Sequence, residues 1–258
     1  MSADITTLRY EQLNVEVFPD RASLGARAGE QAASWLRQRL SQQPQVTIIF
    51  AAAPSQNEFL TTLAAASDID WARVRAFHMD EYLGLPAAAE QRFARYLQSH
   101  LFDLVKPGEV HLIPTEGDAD EICQGYIAAL NAQPLDMVCL GIGENGHLAF
   151  NDPPVADFRD PQAMKVVELD EACRQQQVND GCFAAMDAVP THALTLTIPT
   201  LLSAERLFCM VPGATKRQAV RATLLEPVST ACPATILRQH PGCTLYTDAA
   251  AFAGVKHD

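Results

Sequence analysis

Cations are scarce in this chain of 258 residues: 19 lysines and arginines stand against 31 aspartates and glutamates, a net charge of −12. DNA, RNA and anionic lipid surfaces are held by many cations at once, so this balance argues against nucleic-acid and membrane partners. No run of 18 apolar residues occurs, and no N-terminal apolar stretch reads as a signal peptide. The seven cysteines include no C-x-x-C pair and have no histidine-rich neighbour. Several sit inside apolar runs, such as Val138-Cys139-Leu140 and Phe208-Cys209-Met210. They read as small buried hydrophobes in a reducing compartment, which places the protein in the cytoplasm. Repeats, low-complexity tracts and linkers are also missing.

What is present is an ordinary globular composition, 48% hydrophobic and 19% charged, over a length that fits one domain spanning 1–258. Short apolar runs at 14–18, 46–51, 74–78, 136–141, 193–198, 206–211 and 244–246 read as strands. Several are apolar on both faces, as in Val46-Thr47-Ile48-Ile49-Phe50, which suits central parallel strands. Amphipathic stretches at 21–41, 90–104, 119–131 and 214–225 alternate with them. The implied fold is α/β: a doubly wound, mostly parallel, Rossmann-like sheet with helices on both faces. Residues 151–165, with three prolines, read as an ordered loop or lid. Sites in such sheets form beyond the C-terminal ends of the strands. Residues 51–56, 77–84 and 141–152 all fall there.

Gly141-Ile142-Gly143-Glu144-Asn145-Gly146 matches G-x-G-x-x-G, the letters of a dinucleotide fingerprint. That fingerprint needs a helix starting at the glycines, and Asn151-Asp152-Pro153-Pro154 interrupts too soon. Asn145, His147 and Asp152 at one strand end suit proton transfer instead, with the imidazole held in one tautomer. Asp80 and Glu81 follow the strand at 74–78. Extended neighbours point to opposite sides, so one faces the site and the other the backbone or solvent. The facing carboxylate, partly dry, has a raised pKa and can act as a base. A helix start near Ser55 and Gln56, with Ser55-x-x-Glu58 in capping-box form, offers free N–H groups to a phosphate. Lys216 in a first helical turn opposes the dipole, which points to an anion bridging lysine and backbone.

Two stretches, Phe77-His78-Met79-Asp80-Glu81-Tyr82-Leu83-Gly84-Leu85 and Leu140 to Pro153, resemble motifs of the glucosamine-6-phosphate isomerase/deaminase family. Its superfamily also holds the 6-phosphogluconolactonases. The resemblance runs over most of the chain. The lactonases share the Gly146-His147 core and usually lack the Asp-Glu-Tyr and Phe-Asn-Glu-Pro pieces. The resemblance implies an aldose–ketose isomerase/deaminase acting on a hexosamine 6-phosphate, with glucosamine 6-phosphate foremost, and needing no metal or organic cofactor. It assigns ring opening to His147, oriented by Asn145 and Asp152, and proton transfer from C2 to C1 to Asp80. It assigns the phosphate to Ser55, Gln56 and Lys216, with Arg174 standing in for the family's arginine. The alternatives are a 6-phosphogluconolactonase-like hydrolase and a non-catalytic sugar-phosphate sensor. Assembly into a homo-oligomer is left open.

The chain departs from the family pattern in four places. Ala53-Pro54-Ser55-Gln56 replaces a glycine-bearing phosphate loop, Asp152 replaces a glutamate, His78 replaces an asparagine, and Arg174 lies in a segment of altered length. Residues 201–258 carry a net charge of +2 and the first 200 about −14, so Lys216 comes from the basic end and the acid/base residues from the acidic part.

Overall fold

A computed structural model describes residues 5–255. Lys256 and Asp258, counted above in the terminal charge, lie outside the described residues. The strands are β1 (Thr6–Tyr10), β2 (Leu13–Phe18), β3 (Val46–Phe50), β4 (Val74–His78), β5 (Asp80–Tyr82), β6 (Glu109–Val110), β7 (Met137–Leu140), β8 (Met164–Glu168), β9 (His192–Leu196), β10 (Arg206–Val211) and β11 (Cys243–Asp248). The helices are α1 (Arg21–Gln42), α2 (Asn57–Ala65), α3 (Phe93–Leu97), α4 (Asp103–Val105), α5 (Ala119–Leu130), α6 (Glu171–Asn179), α7 (Ile198–Leu202), α8 (Arg217–Leu225) and α9 (Ala249–Phe252).

The main sheet has the order β1-β2-β11-β10-β7-β3-β4-β6. Every neighbouring pair in it is parallel except the hairpin of β1 and β2. The fully buried, largely apolar strands β3 and β7 lie in its interior, as their composition requires. Side-chain alternation splits each strand between two cores. Ile48 and Phe50 join α1 and α2 on one face, while Ile49, Val138 and Leu140 face α5 and α8 on the other. Among the described residues no helix is long and apolar enough to cross a membrane.

One departure from the sequence reading matters. The run at 193–198 is not in the parallel sheet. It forms β9, the middle strand of a second, antiparallel sheet of order β5-β9-β8. That small sheet covers a third core built on Tyr82, Phe93, Phe150 and Phe183. Its strand β5 is Asp80-Glu81-Tyr82, so the carboxylate pair is clamped by strand pairing rather than left in a loop. Residues 151–165 are an ordered loop that leads into β8. Lys165 ties it down by donating to the Val155 carbonyl and pairing with Asp160, both at 2.7 Å.

Helix α1 packs closely on α2 because Gly25 and Gly29 face it. A Cβ on Gly25 would lie 2.3 Å from Glu58 Cβ and 2.9 Å from the Glu58 carbonyl carbon and the Phe59 nitrogen. Helix propensity alone favours alanine at such a position by about 1 kcal/mol. The backbone contact opposes this, and overpacking costs about 1–3 kcal/mol. Gly25→Ala is therefore expected to lower the melting temperature by a few degrees in thermal denaturation. A rise would show that α2 yields freely.

Candidate active site

The C-terminal ends of β3, β4, β7 and β10 open onto one cleft of about 590 Å³, part of it open to solvent. Its walls include Ala51 to Ser55, Met79, Asp80, Gly141 to Gly143, His147, Phe150 and Lys216. All three segments singled out in the sequence thus meet in one place. Gln176, Gln177, Asp180 and Cys182 close the fourth side.

His147 is fixed by its neighbours. Its Nδ1 lies 2.7 Å from Asn145 Oδ1 and 3.1 Å from Asp152 Oδ1. Both are acceptors, so Nδ1 carries the hydrogen and Nε2 presents a lone pair. Asn145 Oδ1 also accepts the His147 backbone N–H at 3.0 Å. The Asn145 amide nitrogen donates to Asp152 Oδ1 at 3.2 Å and to Asp170 Oδ2 at 3.4 Å. Burial pushes the Asp152 carboxyl up, but the hydrogen bond and charge of His147, with the Asn145 amide, hold it below the usual range.

The glycines explain themselves here. A Cβ on Gly143 would sit 2.1 Å from His147 Cε1 and Nδ1, so the ring packs directly on the glycine backbone. Gly146 has φ +84° and leaves no room for a Cβ beside Cys232 Sγ. No helix begins in 141–146, which removes the dinucleotide reading.

The two acidic neighbours divide as extended backbone requires. Glu81 turns inward and accepts the backbone N–H groups of Tyr82, Phe93 and Ala94 at 3.1 Å, holding the start of α3. Asp80 lines the cleft, and its carboxylate has no hydrogen-bond partner among the described residues. Burial, then the Glu81 and Asp152 charges, push it well above the usual carboxylate range. Its backbone carbonyl lies 3.0 Å from His78 Nδ1, and His78 Nε2 accepts the Ile113 N–H at 2.8 Å. Burial drives His78 down to about 3, so it is a neutral strut between the start of β5 and the segment after β6.

The binding half differs from expectation. Ser55 does not cap a helix. Pro54–Gln56 is a 3-10 turn, α2 starts at Asn57, and Glu58 pairs with Arg21 at 2.7 Å instead of closing a box. Ser55 still lines the cleft. Gln56 is fully buried behind it, its Nε2 3.2 Å from Ser55 Oγ and 3.3 Å from the Leu140 carbonyl. Lys216 closes the turn before α8 and lines the cleft; burial lowers its pKa, and Asp180 and Glu144 pull it back up. Arg174 is not brought to the cleft. Its guanidinium donates to the carbonyls of Met186 and Val189 at 2.8 and 3.0 Å. Cys173, Gln176, Gln177 and Asp180 lie at i, i+3, i+4 and i+7, one face of α6 and its cap. That polar stripe at core spacing was the missed signal, and Arg174 falls off it.

A His147 ring nitrogen, an Asp152 oxygen and Cys173 Sγ lie within 4.8 Å of one another. Burial, with the Asp152 and Asp80 charges, pushes the Cys173 thiol far up, which disfavours the thiolate a metal would take.

The parallel α/β sheet thus sets a buried carboxylate and a tautomer-fixed histidine at its strand ends, groups suited to acid/base chemistry. A family model described as glucosamine-6-phosphate isomerases/6-phosphogluconolactonase matches residues 19–246, and the chain belongs to that family. It is 37% identical to a glucosamine-6-phosphate deaminase of Bacillus thuringiensis over 182 residues, 70% of this chain and 67% of that one. The solved structure of a monomeric glucosamine-6-phosphate deaminase superposes with a TM-score of 0.85 at 26% identity, covering 93% of this chain and 99% of that one. A 6-phosphogluconolactonase from Thermotoga maritima shares the fold at TM-score 0.74 and 18% identity, over 91% and 98% of the two chains.

The packing of His147 on Gly143 makes a direct test. Gly143→Ala is expected to displace the imidazole and lower turnover roughly 100-fold, as about 1 Å of misplacement does in other active sites. Far-UV circular dichroism should stay unchanged. Retained turnover would show that ring position is not critical.

Proposed function

We propose that this enzyme converts a hexosamine 6-phosphate, glucosamine 6-phosphate foremost, to the ketose 6-phosphate and ammonia. The observation that carries the reading is Asp80, an unpartnered, pKa-raised carboxylate facing the same cleft as His147. His147 Nε2 takes the anomeric hydroxyl proton and returns it to the ring oxygen as the ring opens. Asn145 and Asp152 stabilise the imidazolium formed in between. Asp80 then removes the C2 proton while the substrate's own ammonium gives a proton to O1, leaving a 1,2-enolamine, and Asp80 delivers its proton to C1. The resulting C2 iminium adds water and loses ammonia. Each acid/base group contributes about 10²–10⁴-fold. Ser55 and Lys216 serve the phosphate end.

A lactonase needs no base at C2, and the 37% identity to deaminases favours the reading with one. Purified protein is incubated with glucosamine 6-phosphate and ammonia is followed. No turnover by folded protein, with acid released from 6-phosphogluconolactone above the spontaneous rate, would transfer the assignment to hydrolysis. Ligand-induced thermal stabilisation without any turnover would make the protein a sensor.

Asp80→Asn is expected to abolish solvent deuterium exchange at C2 while leaving substrate binding largely intact; persistent exchange would remove Asp80 as the base. Asp80 must be ionised to act, and its pKa is raised. On acidification kcat/KM should therefore fall before the pH reaches the ordinary carboxylate range of about 4. Lys216→Ala should mainly raise KM.

A further inference from the structure

The phosphate end of the cleft holds an acid where a second cation is expected. Among the described residues Lys216 is the only lysine or arginine lining the cleft, and Asp180 lines it with Lys216. Asp180 is the C-cap of α6, where the helix dipole is negative and a carboxylate is disfavoured. Lys216 is the N-cap of α8, where the dipole is positive and a cation is disfavoured. Two charges set against their own helices, in one cleft, compensate each other. Asp180 is the first of the carboxylates whose charge acts on Lys216, with Glu144 second. Among the described residues the remaining hydrogen bond to the Asp180 carboxylate is a long one, from Gln176 Nε2 at 3.4 Å to Oδ2. This end of the cleft is therefore dipolar, with one strong donor and one strong acceptor.

A phosphate dianion has acceptors only, and Asp180 would repel it. A phosphate monoanion carries one P–OH donor as well. We propose that Asp180 is a specificity-determining residue that selects the singly protonated phosphate ester, accepting its P–OH hydrogen while Lys216 and Ser55 donate to the other oxygens. The inference rests on the sugar-phosphate reading above and adds the charge state that the site takes. The other ionisable groups lining the cleft are His147 and Asp80 at the reacting end and Cys182 on the rim, and the charge of Glu144 acts on Lys216 as well. Because these also titrate, the test reads the ligand's proton directly.

The probe is 2-amino-2-deoxyglucitol 6-phosphate, an open-chain alcohol that cannot isomerise, and its 6-sulfate counterpart. At pH 7.5, above the phosphate's second pKa of about 6, the ³¹P resonance of the bound probe in wild-type protein is expected at the monoanion position. In Asp180→Asn it is expected at the dianion position. Calorimetry should show wild-type affinity falling about tenfold per pH unit above 6.5 and the sulfate bound at least tenfold more weakly. Asp180→Asn should flatten that slope and bring the sulfate within about threefold. A dianion resonance in wild type, or an identical pH slope in the variant, overturns the inference while leaving deaminase activity standing. Failure of the phosphate probe to bind at any pH, together with no ammonia release, overturns the sugar-phosphate reading and this inference with it.

Discussion

The contact on which the rest of the site depends is the His147 ring lying on the backbone of Gly143. It fixes the distance from β7 to the imidazole, and it is available only because position 143 lacks a Cβ. From that position Nδ1 reaches both Asn145 and Asp152, and the Gly143 N–H in turn donates to the His147 carbonyl at 2.9 Å. The loop is thus closed on itself by two backbone bonds, from the Gly143 and Gly146 N–H groups to the His147 and Gly143 carbonyls, and by the Asn145 and Asp152 side chains. A histidine held this way has one tautomer and one orientation, which is what proton shuttling near neutral pH requires. Asp152 is one methylene shorter than the glutamate of the family pattern and still reaches the ring at 3.1 Å.

The second constraint is the short strand β5. Pairing with β9 makes residues 80 to 82 extended, and extension sends adjacent side chains apart. Glu81 goes to the interior, where three backbone N–H groups and Arg92 at 3.6 Å satisfy it. Asp80 goes to the cleft with no such partners. Two like residues therefore acquire different roles from backbone geometry alone. His78 serves the same end from behind: uncharged, it joins the Asp80 carbonyl to the Ile113 N–H and ties β5 to the strand before it.

Much of this was legible before the structure. The central strands are continuous apolar runs and α1 is strongly amphipathic, so hydrophobic period alone located them. The three strand-end segments were found because each breaks from an apolar run into turn-forming residues. The elements that escaped are short or polar: β5 has three residues, β6 has two, and β8 buries only Met164 and Val167 of its five. Their pairing is set by tertiary contacts, which no local pattern encodes. The binding half was harder for a different reason. A capping-box spacing at Ser55 and a lone cation at Arg174 are weak local signals. Pro54 opens a 3-10 turn that puts Ser55 ahead of the helix start, and the Arg174 side chain points to the 186–189 carbonyls. The polar stripe on α6 needed a helix assignment first.

The acidic character of the chain acquires a local meaning in the cleft. Asp80 is raised in part by the like charges of Glu81 and Asp152. A second cation beside the substrate would lower the base again, since opposite charges favour the ionised form. A cleft that tunes its base by negative charge is therefore poorly served by a strongly cationic phosphate pocket nearby. Taking the phosphate as a monoanion removes one unit of that conflict. Protonating a phosphate one pH unit above its second pKa costs about 1.4 kcal/mol, whereas a hydrogen bond to a charged acceptor contributes about 1.5–3 kcal/mol. The exchange is favourable near neutral pH and fails as the solution becomes more alkaline. Lys216 and Asp180 then form the dipolar phosphate end of a cleft whose other end holds Asp80, raised by burial and by the charges of Glu81 and Asp152.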